Sequence, residues 1–247
     1  LCRDAKAIVL DMVRELKDSD FRPLDFELEF SDKGHVPPYT LGEGEEALKI
    51  MGYVDRVDGW VKGDTLYVRV VDYKTGRKAF RLSDVYQGLN MQMLIYLFAL
   101  CAGGGGRYPY SRLVPAGGLY IPARDELIKV SRRVTAEEIE KERLKKVRRT
   151  GLLLEDTEVL DAMAKGDAAQ YLPVKIKNGA FQGDSLVRLE RLGQLSRHID
   201  DVLKAMVRQI RKGNLAAEPM YKNEEENACR VCDFRSACHF SQQAGDR

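Results

Sequence analysis

Two runs of alternating residues separated by Lys62-Gly63-Asp64-Thr65 constrain this chain more than anything else in it, because they commit its middle to an antiparallel hairpin. Gly can take the positive φ that a two-residue hairpin loop requires, so Gly63-Asp64 predicts the turn. Side chains alternate along a strand with period two, which places Leu66, Val68, Val70, Asp72 and Lys74 on one face. Closing the loop pairs Lys62 with Thr65, and counting outward sets Asp55 opposite Asp72 and Tyr53 opposite Lys74. Side chains that meet across strands have Cβ atoms roughly 4.5–5.5 Å apart. Two carboxylates at that range repel unless a cation lies between them, and a hard divalent cation takes oxygen ligands. The spacing alone leaves open a plain hairpin whose carboxylates face solvent.

The remaining pattern supplies an α/β frame. Ile8, Val9, Met12, Val13 and Leu16 recur at helical spacing, and Phe26 to Phe30 reads as a strand. Ser83 predicts the cap of a helix from about Asp84 to Ala102, ended by the glycines 103–106. No Lys-Ser or Lys-Thr follows those glycines, so they read as a surface loop, not a phosphate loop. Leu113 to Pro122 reads as another strand, and Thr135 with Glu138 forms a capping box for a charged helix. From Ser131 to Arg149 there are eight Arg or Lys against four Glu, a pattern that suits either phosphate contact or complementing of the helix dipole. Gly151 to Gly183 carries no clear pattern, and Ser185 to Lys212 reads as a long amphipathic helix.

With 247 residues and 44% apolar content the chain can bury a substantial core, and a net charge of +2 confines any nucleic-acid footprint to a local patch. No apolar stretch approaches the ~18–20 residues that span a membrane, and no signal peptide opens the sequence. A cytoplasmic setting without membrane contact is therefore expected. In that setting five cysteines argue for metal binding or reactivity before disulfides. Cys229-x2-Cys232-x5-Cys238 has the spacing of a ligand cluster, one short of the four that a structural zinc or a cubane cluster takes. Gln92 and Tyr96, four residues apart, share one helix face.

Gly52-x-x-Asp55, a hairpin, Asp72-Tyr73-Lys74-x-Gly76 and then a helix bearing Gln92 and Tyr96 together resemble the PD-(D/E)XK nuclease superfamily, in its RecB-like branch. Phe26-Glu27-Leu28-Glu29-Phe30 resembles the strand before this hairpin in AddB-type subunits of bacterial helicase–nuclease complexes. Ala217-Glu218-Pro219 and Ala228 to Cys238 resemble that group's iron–sulfur tail, so the likeness runs roughly from Pro23 to Phe240.

The resemblance implies a restriction-endonuclease-like α/β core, a central mixed sheet flanked by helices, with a helical second half and a cysteine-bearing C-terminal tail. The expected division is a nuclease core over 1–125, a helical extension over 126–215 and the tail over 216–247. Asp55, Asp72, Lys74, Gln92 and Tyr96 are the implied catalytic residues. Asp55, Asp72 and the main-chain carbonyl of Tyr73 are the implied ligands of Mg2+ or Mn2+. Cys229, Cys232 and Cys238 would hold a 4Fe-4S cluster whose fourth cysteine lies upstream of Leu1. A helicase-like region and a helix carrying a metal-site histidine would also precede Leu1, since His35, His198 and His239 read as surface residues. The implied activity is divalent-metal-dependent hydrolysis of single-stranded DNA during double-strand-break repair, with an AddA-type partner subunit. The absent histidine helix leaves the isolated fragment open to being inactive. Two other readings are a nuclease-fold DNA-binding scaffold without catalysis and a zinc-stabilised interaction module.

Overall fold

The computed structural model describes residues 2–44, 47–76, 79–123, 134–221, 223–238 and 240. It divides into two units, Leu1–Lys204 and Ala205–Arg247. Along the chain run α1 (Cys2–Lys17), β1 (Arg22–Phe30), β2 (Tyr39–Leu41), β3 (Leu48–Ile50), β4 (Gly52–Lys62), β5 (Thr65–Lys74), α2 (Leu82–Tyr86), α3 (Gln92–Gly103), β6 (Arg112–Pro122) and α4 (Ala136–Val147). They are followed by β7 (Thr150–Leu154), α5 (Thr157–Met163), β8 (Lys175–Lys177), β9 (Ala180–Gln182), β10 (Leu186–Val187), α6 (Leu189–Arg211) and α7 (Arg235–Cys238). No helix among the described residues is long and apolar enough to cross a membrane.

A six-stranded sheet in the order β1-β4-β5-β6-β7-β10 organises the first unit. The hairpin forms as the loop chemistry dictates: Gly63 has φ 59°, and β4 and β5 pair antiparallel from Lys62↔Thr65 to Arg56↔Val71. Helix α3 carries the chain from β5 to β6, which run parallel, and buries Met93 through Leu100. It lies close because Gly118 of β6 has no side chain; a Cβ there would stand 2.9 Å from Met93 Cγ. Leu66, Val68 and Val70 of β5 are at most 1% exposed, each burial worth about 1.5–3 kcal/mol.

Three local readings change. The helix expected to start near Asp84 is two helices, because Gly88 and Asn90 adopt φ 78° and 55° and break it; Ser83 lies inside α2, whose cap is Arg81. The stretch after Gly151 adds β7 to the sheet, a short apolar run that periodicity does not separate from a loop. The last long helix begins at Leu189, since the carbonyls of Ser185 and Val187 accept from the N–H groups of Leu153 and Glu155 instead. The capping box at Thr135 and Glu138 is present; the residues 131–133 of the basic run lie outside the described residues.

The face of the sheet away from α3 holds charge. Helix α1 turns Asp11 and Glu15 inward; of the apolar stripe read from the sequence, Val9 and Val13 are exposed while Ile8, Met12 and Leu16 are half-buried. Glu15 accepts from Arg149 (2.7 Å) and lies 3.2 Å from Arg69, which also donates to Asp58 (2.7 Å), itself bonded by Arg56 (3.0 Å). These five side chains are at most 2% exposed, so the ions are stable there only as a set. Burial opposes ionisation of Glu15, yet the guanidiniums of Arg149, Arg69 and Arg56 hold its carboxyl below the ordinary 4.5. A lowered folded value makes its contribution complete above the unfolded value and lost as pH falls through the folded one. Glu15→Gln is expected to be less stable at neutral pH and to lose stability less steeply than wild type as pH falls below about 4.5 in urea titrations.

Candidate active site

The site lies where β4 and β5 stop pairing. Past Arg56↔Val71 the carboxylate of Asp55 replaces a ladder acceptor, and the Tyr73 N–H donates to its Oδ2 at 2.7 Å. Tyr73 is fixed at its other end too, its hydroxyl accepting from Arg56 Nη1 at 2.6 Å and donating to Met12 Sδ at 3.2 Å. The buried ion set thus anchors the backbone that carries both acids. Asp72, on the α3 side of β5, meets Lys74 Nζ at 2.6 Å.

Asp55, Asp72, Gln92 and Tyr96 line one cleft of about 20 Å³, room for about one water-sized occupant. Lys74 joins it through Asp72 and stands 5.5 Å over the buried ring of Tyr120. Burial raises the Asp72 carboxyl above its ordinary value; Lys74 opposes this, and Asp55, close enough to hydrogen-bond, adds to it. A carboxyl whose ionisation a neighbouring carboxylate hinders suits a hard cation placed between the two. Among the described residues no group of three or more His, Cys, Asp or Glu side chains is gathered to hold a metal. Two carboxylates with main-chain or solvent oxygens are what Mg2+ accepts, so the donor set fits it.

A family model described as the PD-(D/E)XK nuclease superfamily matches residues 2–239. The chain belongs to this superfamily. Relatives named as a subunit of an ATP-dependent helicase/deoxyribonuclease are 33% identical in Ruminiclostridium cellulolyticum (94% of this chain, 20% of the relative) and 34% identical in Acetivibrio thermocellus (96% and 21%). A third, from Thermoanaerobacter sp., is 34% identical over 91% of this chain and 20% of its own length. The chain spans about a fifth of the length of these curated relatives.

One residue of the PD-(D/E)XK pattern gains a physical reason from the packing of α3. A Cβ built on Gly52 would overlap the Tyr96 hydroxyl, and Tyr96 is itself packed at 5.3 Å against Phe30. The glycine therefore lets α3 bring Tyr96 to the acids, a role that the turn signals of the sequence do not reveal. Gly52→Ala is expected to push the phenol out of the cleft and lower kcat about 10- to 100-fold, the cost of roughly 1 Å of misplacement, and to cost stability as well, because Gly52 has φ 156° and the displaced Tyr96 is buried. Steady-state cleavage kinetics beside a denaturant titration check this.

The three tail cysteines lie in the second unit. Cys229, Cys232 and Cys238 are free thiols that line one cavity of about 740 Å³ with Tyr221 and Phe240. Their soft donors suit iron or zinc, but three fall one short of a cluster's four. Burial pushes the Cys101 thiol in α3 up to about 12, so it remains protonated; the Cys2 side chain lies outside the described residues. Among the histidines, His35 is exposed and His198 stacks on Tyr86 at 4.6 Å; His239 lies outside the described residues.

Proposed function

We propose that this chain is the nuclease domain of a helicase–nuclease subunit and hydrolyses phosphodiester bonds of single-stranded DNA in double-strand-break repair. The observation that carries the reading is the shared cleft of Asp55, Asp72, Gln92 and Tyr96 with Lys74 bonded to Asp72. Asp55, Asp72 and the Tyr73 main-chain carbonyl would hold Mg2+ or Mn2+, which when bound acidifies water and offsets charge on the phosphate. Asp55 is kept in place for this by the Tyr73 N–H, and Asp72 by the Lys74 ammonium. Lys74, a compact cation with three donors, orients the attacking water or neutralises the phosphate oxygens as charge grows on them. Gln92, exposed at the start of α3, holds the substrate strand or Lys74. The relatives' printed name supports a helicase-linked deoxyribonuclease, and an AddA-type partner in the cytoplasm is part of the proposal.

Cleavage of single-stranded oligonucleotides by the full-length protein tests the reading. Activity is expected with Mg2+ or Mn2+ and none in EDTA; cleavage that persists in EDTA contradicts it. Cys229, Cys232 and Cys238 are proposed as three ligands of a 4Fe-4S cluster. Iron and acid-labile sulfide should be present in the parent protein and fall sharply in Cys232→Ser, whereas zinc without sulfide would replace the cluster by a structural metal.

A further inference from the structure

A second cavity, of about 310 Å³, opens on the far side of Lys74. Its lining includes Lys74, Tyr120, Lys145, Lys146, Arg148 and Thr150, and among the described residues it contains no carboxylate. The volume is at the lower end of small-ligand sites. Four cations converge on it from separate elements, Lys74 from β5 and the others from the end of α4 and the turn into β7. Arg148 is fixed by donating to the carbonyls of Leu172 and Val174, neutral acceptors that leave its charge uncompensated. The acid paired with Lys145, Glu142, is an exposed neighbour on the same helix, with side-chain exposures of 61% and 47%, a pairing that water screens and an anion can replace. Dispersed cations on a solvated face would not share one concavity with the amine that borders Asp72.

We propose that this cavity binds the single-stranded DNA phosphate next to the scissile one, with Lys145 and Lys146 as its contacts and Arg148 as the fixed charge behind them. The inference rests on the nuclease reading, because Lys74 belongs to both sites: a strand whose scissile phosphate lies at Asp55 and Asp72 continues past Lys74 into the basic cavity. Lys145 and Lys146 are thus binding residues and do not touch the reacting atoms. Helix α4 has no buried residues, and Lys145 pairs with the exposed Glu142, so replacing Lys145 and Lys146 leaves the fold intact.

The test uses the full-length protein in its native complex and a short single-stranded oligonucleotide across a range of salt. In the double variant K145Q/K146Q, KM is expected to rise about tenfold with kcat within about twofold. Each lost contact flattens log Kd against log salt by about 0.7, so the pair should remove about 1.4 from the slope measured in EDTA. K145R/K146R, which keeps the charge, should restore both values. An unchanged KM and salt slope, or a fall in kcat alone, overturns the proposal. Absence of metal-dependent cleavage in the wild-type protein would instead sink the nuclease reading, while the EDTA binding slopes would still report on the cavity.

Discussion

Asp72→Ala and Lys74→Ala are each expected to lower turnover on single-stranded DNA by about 10³-fold, near 4 kcal/mol of transition-state stabilisation, with little change in thermal stability. The pair is partly exposed, the Lys74 and Asp72 side chains at 26% and 15%, so its contribution to folding is small. In Asp72→Ala the like charge facing Asp55 also disappears. That substitution should therefore melt at the wild-type temperature or slightly above it while losing activity, since sites built for chemistry hold charge that folding alone does not favour. Kinetics and melting curves on the same preparations check both halves. Loss of activity that tracks loss of fold would mean that the two side chains are structural.

Arg69→Met has the opposite signature. Arg69 bonds Asp58 and approaches Glu15, and all three side chains are fully buried. Removing the guanidinium leaves two buried carboxylates with less compensation than they need, a change that costs about 3–5 kcal/mol. For a chain of this size that lowers the melting temperature by about 10 °C. Activity per folded molecule should drop far less than in Lys74→Ala, because the ion set reaches the site indirectly, through Arg56 and the Tyr73 hydroxyl. Urea titration followed by tryptophan fluorescence of Trp60 reads the stability. A variant as stable as wild type would show that the ion set adds nothing to the fold.

The hairpin and its register were legible because they depend on neighbours in sequence: the two-residue loop at Gly63-Asp64 fixes Lys62↔Thr65, and the pairing up to Arg56↔Val71 follows. The end of that pairing was not legible, since it depends on the Asp55 carboxylate taking the Tyr73 N–H. The buried ions were missed for a related reason. Asp11 and Glu15 sit one turn apart on α1, a spacing equally suited to a solvated face, and only contact with distant segments makes them interior: Arg69 and Arg149 against Glu15, Arg143 and Tyr171 against Asp11. Gly52 offered a signal in its position within Gly-x-x-Asp, but its partner Tyr96 is supplied by α3. The break between α2 and α3 was readable in Gly88 and Asn90, residues that tolerate positive φ.

Binding of Mn2+ followed by electron paramagnetic resonance most directly tests whether Asp55 and Asp72 form one cation site. The full-length protein should bind one Mn2+ more than the variant carrying both Asp55→Asn and Asp72→Asn, and Mg2+ should displace that ion. Equal binding by the two proteins would contradict the account.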